Sequence, residues 1–431
     1  MADLIHNAMA VILAGGGGER VNVLAQGRAK PAIPFSAKYR IIDFTLSNCV
    51  NSGIRNVAIV TQYQPLSLIE HVGVGRPWDL DQSGRVVRVL QARLTRNGRG
   101  WYQGTADAIY QNLEYIEEQD DESVLILGGD HVYRMDYSDM LTFHREKEAD
   151  VTLAVTPMPE ADIKRFGTAV VDQTGQVMEF QEKVKKPKSN LAFMGVYVFK
   201  RDILQQWLME DDQNVTSKHD LSGDVIPNMV GRGKIFAYRF DRYWRDVGTV
   251  QAYWQANMDL LQMSPSPLFS SEWPIRTRED ERPPAIISAT ASVVNSMICN
   301  GCVIDGSVEQ SILSPGVTVL EGALVKDSII MSDTTIGPHS IIDRSILDKE
   351  IVVEAGCHIG YGSDVRTNFK ASKLRNTGIT VIGKRAKIPP GIKIGCSCVI
   401  HCDIKEEDFP ASKIKSGQTI RAKRRGHARR T

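Results

Sequence analysis

A chain of 431 residues that is 42% apolar, with 52 basic against 51 acidic side chains, is long enough for two or three domains. It is too evenly charged to bind nucleic acid through its global field. Its seven cysteines fall into no disulfide framework, the N-terminus lacks a basic-then-apolar leader, and no stretch approaches the roughly 18 apolar residues of a membrane helix, so the expectation is a cytoplasmic chain with no membrane partner. The charge is uneven, however: residues 421–431 carry six Arg or Lys and no acid. That tail reads as a solvated end, with an anion-effector role as the second reading.

The chain is organised around its first strand and the turn after it. Residues 10–14, which include Leu13 and Ala14, predict a buried strand, and Gly15, Gly16, Gly17 and Gly18 follow before Glu19 and Arg20. Glycine lets backbone N–H groups approach an anion closely, and Arg20 adds a planar cation for phosphate oxygens. The Gly-Lys-Ser/Thr ending of a Walker loop is missing, and a basic stretch stands where a dinucleotide fingerprint needs an acid. A plain flexible turn is the competing reading of this loop taken alone. Lys30 precedes Pro31, which favours extended backbone and an outward-aimed ammonium.

A helix is expected over 43–52, with Asp43 as its cap and Gly53 as its stop. A strand over 56–61 and a short helix running to 71 follow. Residues 73–100 read as a long loop or a β excursion. A helix then runs through Ile116, with Gly104 and Thr105 at its start, where N–H groups are open to phosphate or base edges. A strand over 124–129 delivers Asp130 and His131 to its C-terminal end, where open parallel sheets bind ligands. A helix over 136–149 and a strand over 151–155 complete a βαβ rhythm that implies a doubly wound, mostly parallel sheet. Hairpin strands over 169–172 and 177–182 come next, then a buried strand at 193–199 with Phe193, Gly195 and Tyr197 on one face. Thr249 caps a helix that ends near 261. Residues 262–284 read as a linker. From Ala285 aliphatic residues recur every five or six positions, the spacing of a parallel β-helix, and resume over 379–400 after an irregular insertion at 361–375. Cys396, Cys398, His401 and Cys402 alternate as strand positions do, and are read as buried thiols in preference to a metal cluster.

The chemistry-bearing set is Arg20, Lys30, Asp130, Glu182, Lys183 and Asp246. Separated aspartates among cations suit phosphate chemistry on Mg²⁺, which takes one or two carboxylates and completes its shell with phosphate and water. No Ser/His/Asp relay is present.

These residues sit in motifs that resemble the glucose-1-phosphate adenylyltransferases of bacterial glycogen synthesis, over almost the whole chain. The resemblance rests on Leu13-Ala14-Gly15-Gly16, Arg28-Ala29-Lys30-Pro31-Ala32, Arg40-Ile41-Ile42-Asp43-Phe44, Leu46-Ser47-Asn48, Thr61-Gln62-Tyr63-Gln64, Gly104-Thr105-Ala106-Asp107-Ala108, Gly129-Asp130-His131, residues 194–199 and residues 243–249. It implies a Rossmann-like nucleotidyltransferase domain over 1–261, a linker over 262–284, a left-handed β-helix over 285–405 and a C-terminal segment over 406–431. It implies transfer of the adenylyl group of ATP to α-D-glucose 1-phosphate, with release of pyrophosphate. Arg20 and the loop of Leu13, Ala14, Gly15 and Gly16 would hold the leaving phosphates, and Lys30 would stabilise developing charge. Asp130 and Asp246 would hold Mg²⁺. Lys183 would grip the sugar phosphate, with Glu182, Gly167, Tyr102, Phe193 and Trp244 around the sugar or nucleotide, Gly104 and Thr105 on the nucleotide, and Gln91 reading the base. It further implies a homotetramer controlled by small anionic effectors; Arg40 matches the basic residues usual near the activator site, whereas Gly27 stands where a Lys is common.

Two places depart from the family's pattern. Gly17 and Glu19 replace the usual Arg or Glu and Thr or Ser of the loop, and Phe193 replaces a sugar-binding Ser. These keep two alternatives open: a non-catalytic regulatory subunit, and a pyrophosphorylase for another sugar 1-phosphate. Acyl transfer by the β-helix is disfavoured because His339 and His358 stand isolated.

Overall fold

The computed structural model describes residues 7–93, 100–364, 368 and 378–423. Part of the 73–100 stretch, most of the 361–375 insertion and the tail beyond 423 lie outside the described residues. Two compact units interleave along the sequence. The first comprises Met1–Gly16, Ile42–Trp244 and Leu268–Arg276, and the second Gly17–Ile41, Arg245–Pro267 and Thr277–Thr431.

The first unit is built on a sheet of strands β1 (Ala8–Leu13), β2 (Asn56–Thr61), β3 (Val86–Gln91), β4 (Ser123–Gly128), β5 (Val151–Pro157), β6 (Gly167–Val171), β7 (Val177–Glu182), β8 (Leu191–Lys200) and β9 (Ile235–Arg239). Their order is β7-β6-β8-β4-β1-β2-β3, with β5 alongside β8 and β9 alongside β5. β1 lies parallel to both β2 and β4, which puts Leu13 level with Val60 and Gly128. β8 runs antiparallel to β4 and β5. The strands at the middle are continuously apolar because both faces are covered; Met9, Ala10 and Ile12 have no exposed surface. The mostly parallel, Rossmann-like sheet expected from the βαβ rhythm is therefore present.

Several boundaries differ from expectation. Helix α1 spans Ile41–Asn51, so Asp43 is not its cap. Asp43 is fully buried and meets His71 Nε2 at 2.6 Å. The helix that begins at Thr105 breaks after one and a half turns, giving α2 (Thr105–Tyr110) and α3 (Leu113–Glu117). At the break the Asn112 amide donates to the Ala108 carbonyl and to the Tyr102 hydroxyl. A side chain that competes for backbone groups in this way interrupts a helix. Helix α4 (Tyr137–Glu146) is capped by Asp136, whose carboxylate accepts from Ser138 N at 2.9 Å.

The second unit contains three all-parallel sheets of six, seven and seven short strands, the parallel β-helix that the aliphatic spacing implies, left-handed as the resemblance implies. Equivalent residues stack rung on rung: Leu313, Ile330, Leu347, Ile382 and Ile400 are all fully buried. Each removes about 1.5–3 kcal/mol of apolar surface cost from water. The backbone polarity of one corner is absorbed by a hydroxyl column, in which Ser328 N donates to Ser311 Oγ and Ser345 N to Ser328 Oγ, each at 3.1 Å. The corner column Asn295, Gln310, Asp327 and Arg344 turns with φ of 41–46°, left-handed backbone that Asn and Asp adopt most readily among non-glycine residues.

The same unit includes the loop after the glycines and helix α5 (Val250–Gln262). Trp254 Nε1 on α5 donates to Asp327 O at 2.9 Å, and the Arg344 guanidinium lies 5.1 Å over the Trp254 ring. Arg28 Nη2 reaches both carboxylate oxygens of Asp348 at 2.7 Å. The four residues that resembled a metal cluster have separate surroundings. Cys396 Sγ meets Gly362 O at 3.1 Å, Cys398 Sγ meets Lys415 O at 3.2 Å, and Cys402 Sγ lies 3.8 Å from Val23 O. His401 sits between Gln26 and Arg421. Burial pushes the Cys398 thiol up to about 11.

Candidate active site

In the first unit β1 ends at Leu13, and Ala14 N donates to Val60 O at 2.8 Å, so the chain turns off the sheet at Gly15. A side chain at Gly15 would come within 3.5 Å of Gln62, while Gly16 faces open space. Gln62 was not singled out as a site residue. Its amide oxygen accepts from Tyr102 N at 2.8 Å, which ties the stretch after β2 to the segment that leads into α2. Tyr102 is buried, and burial raises its phenol above the usual range.

The start of α2 corrects one expectation. The N–H groups of Ala106 and Asp107 are not open: both donate to the carbonyl of His219. Thr105 Oγ1 donates to Asp220 Oδ2 at 3.0 Å and accepts from Leu221 N at 2.8 Å. Gly104 is required because a Cβ there would lie 2.2 Å from His219 O. The docking of residues 219–221 onto this turn joins segments more than a hundred positions apart, which local pattern cannot reveal.

Beyond β4, Gly129 N donates to Leu13 O at 3.0 Å, and this bond sets Asp130 beside the end of β1. Asp130 is half-buried and lies 3.5 Å from His131 Nε2. His131 is a second residue that sequence reasoning left without a role. Its ring packs on Trp244 at 5.2 Å. Gly195 takes φ 71° at an irregularity in β8, and a side chain there would meet the His131 ring at 3.0 Å. The space left by the bare backbone of Gly195 is thus taken by the His131 ring. Trp244 also packs on Phe166 at 5.4 Å.

Glu182 closes β7 opposite Gly167, and a Cβ on Gly167 would lie 2.7 Å from Glu182 Oε2. Lys183 follows with φ 50°, is mostly exposed, and reaches Glu182 at 2.5 Å. The sequence-derived trio of Gly167, Glu182 and Lys183 is therefore one cluster. Phe193 is only 7% exposed and packs between Phe180 and Tyr197, with ring centroids at 5.7 and 4.6 Å. Gln91 ends β3 with an exposed side chain.

In the second unit Gly18 takes φ 62° and opens a tight 3₁₀ turn over Glu19–Ala25, with Glu19 and Arg20 both exposed. A side chain at Gly18 would strike Ala25 Cβ at 2.5 Å. Lys30 departs from its expected outward aim: it is 6% exposed, and its ammonium lies 3.5 Å from Asp246. Proline fixes the backbone before it, but the buried carboxylate decides where the ammonium goes. Asp246 in turn needs the bare backbone of Gly248, where a Cβ would lie 2.7 Å from one carboxylate oxygen.

Comparison with known proteins gives the family. Residues 9–263 match the nucleotidyl transferase family and residues 283–382 match a GlmU-like C-terminal hexapeptide family. A glucose-1-phosphate adenylyltransferase of Thermomicrobium roseum is 50% identical over 414 residues, covering 95% of this chain and 96% of that protein. The proteins of the same name from Acetivibrio thermocellus and Fervidobacterium nodosum are 45% and 44% identical, each over 96% of this chain and 97% and 98% of their own lengths. With a glycine turn, strand-end carboxylate, buried lysine and β-helix all present, the chain belongs to the glucose-1-phosphate adenylyltransferase family of nucleotidyltransferases.

Proposed function

We propose that this enzyme transfers the adenylyl group of ATP to α-D-glucose 1-phosphate, giving ADP-glucose and pyrophosphate for α-glucan synthesis. The observation that carries the reading is the Lys30–Asp246 pair, an ammonium and a carboxylate both largely withdrawn from water. A phosphate oxygen of the sugar phosphate attacks the α-phosphorus of ATP, a new P–O bond forms, and the bond to the leaving pyrophosphate breaks. Positioning and charge neutralisation supply most of the catalysis in such a transfer. Gly15 and Gly16 offer bare backbone to the triphosphate where the strand ends at Leu13 and Ala14, and Arg20 and Lys30 meet its charge. Gln91 borders the nucleotide, and Gly104 and Thr105 act by fixing the start of α2 on residues 219–221. Glu182, Lys183, Gly167, Tyr102, Phe193 and Trp244 shape the sugar side. Asp130 and Asp246 are hard oxygen donors of the kind Mg²⁺ takes. When bound, Mg²⁺ neutralises triphosphate charge.

The catalytic region is assigned to residues 1–261 and the β-helix to 285–405, with 262–284 linking them and 406–431 as the C-terminal segment. Small anionic effectors are assigned to a basic cluster of the second unit, in which Arg28 is buried and Arg40 and Lys349 are half-buried. Arg28 Nη1 is buried with no hydrogen-bond partner among the described residues. Burial, then Arg40 and Arg28, lower the Lys349 ammonium to about 8. A homotetramer fits the first β-helix rung, where Ile286, Ile287 and Val294 are each more than half exposed on an open strand edge. Among the described residues no helix is long and apolar enough to cross a membrane, and membership of this family supports a cytoplasmic location.

The deciding experiment is pyrophosphate release with each nucleoside triphosphate, glucose 1-phosphate and Mg²⁺. ATP-selective turnover is expected. Turnover with another sugar 1-phosphate alone would move the substrate assignment, and none with any would favour a regulatory subunit.

A further inference from the structure

One outward column of the β-helix changes character near its C-terminal end. Ser292, Ser307, Leu324 and Ile341 share a register position, and the next three rungs place His358, Lys393 and Lys413 there. Parallel strands lie about 4.8 Å apart, so two ammonium groups stand directly above one another with an imidazole below. Like charges in adjacent register are destabilising. No carboxylate among the described residues pairs with Lys393 or Lys413; the carboxylate acting on His358 is Asp343, one rung earlier.

The two lysines converge on one ring. Lys393 Nζ and Lys413 Nζ each lie 5.2 Å from the centroid of Tyr361, and His358 meets the same ring edge-on at 5.0 Å. Gly360 makes this possible: it takes φ 81°, and a Cβ there would overlap Asp343 O at 2.0 Å. The chain therefore bends sharply just before Tyr361 and brings the phenol beneath both ammonium groups. Cation–π attraction of about 1 kcal/mol per exposed lysine offsets part of the repulsion but neutralises no charge.

We propose that His358, Tyr361, Lys393 and Lys413 form a binding site for a phosphate monoester, separate from the catalytic residues and from the Arg28–Lys349 cluster. The phosphoryl dianion bridges the two ammonium groups, His358 donates to it, and the exposed part of the Tyr361 ring supports the organic portion. A dianion matches two stacked cations where a single carboxylate would leave one unpaired. The site needs no catalytic group and carries no chemistry of its own.

The test uses the full-length protein and inorganic phosphate as probe. Crystals soaked at millimolar phosphate should show an anion bridging Lys393 Nζ and Lys413 Nζ. Calorimetric titration should show one phosphate site lost, or weakened about tenfold per lysine removed, in the Lys393→Met/Lys413→Met variant, with melting temperature and basal turnover unchanged. Tyr361→Leu should keep phosphate binding while weakening a hexose phosphate relative to inorganic phosphate. Absence of density at the two lysines, equal density in the double variant (an adventitious ion only), or identical phosphate stoichiometry in both proteins would overturn the proposal.

Discussion

Replacing Arg28 by leucine tests how the loop that carries Lys30 is held. Arg28 is 7% exposed and Asp348 fully buried, and both carboxylate oxygens lie 2.7 Å from one guanidinium nitrogen. After the substitution Asp348 loses both bonds to the guanidinium and, among the described residues, keeps the Lys349 N–H at 2.7 Å and the nearby Lys349 ammonium. Removing one partner of a buried pair costs about 3–5 kcal/mol, most of it the penalty of an uncompensated charge. At about 2–4 °C per kcal/mol for a unit of this size, the transition of the second unit should fall by roughly 10 °C in scanning calorimetry. Arg28→Leu/Asp348→Leu should recover most of the loss, since two apolar side chains leave no buried charge. A cost below about 1 kcal/mol for the single variant, or a double variant no better than the single, would refute the argument.

Asp130→Asn should leave the fold intact, because its side chain is half-exposed and outside the core, while turnover falls about a thousandfold, roughly 4 kcal/mol; near-normal turnover at saturating Mg²⁺ would exclude it as a metal carboxylate. Lys183→Ala should raise KM for glucose 1-phosphate far more than KM for ATP, and equal effects on both would sink that assignment. Phe193→Ser should lower stability by about 3 kcal/mol, since the ring packs between Phe180 and Tyr197; a gain in kcat/KM for glucose 1-phosphate in the same variant would mark the position as part of the sugar pocket. Deleting 424–431 should preserve melting temperature and basal turnover and change only the effector response; loss of the fold would make the tail structural.

Much of this protein was legible in order along the chain. The buried strands read as apolar runs, Thr249 was recognisable as a helix cap and accepts from Ala252 N at 3.1 Å, and the aliphatic spacing after Ala285 announced a β-helix. Each of these signals is carried by residues a few positions apart, where backbone geometry and local burial set the pattern. Gly104 was legible too, but for the wrong neighbour: its bare backbone admits the His219 carbonyl, whereas the sequence suggested a ligand. Gly195 likewise makes room for His131. A glycine announces a close approach without naming what approaches.

The sequence by itself determined the strand and helix types, the repeat, and the identity of the charged residues available for phosphate chemistry. Only the tertiary structure decided that Lys30 turns inward to Asp246, that Asp43 serves His71 instead of a helix end, and that the loop following the glycines is held by Arg28 on Asp348. These are pairings across tens to hundreds of residues, and local periodicity carries no information about them. A charged side chain is buried only where the folded chain supplies an opposite charge or a hydrogen bond, so its partner becomes identifiable only when distant segments meet.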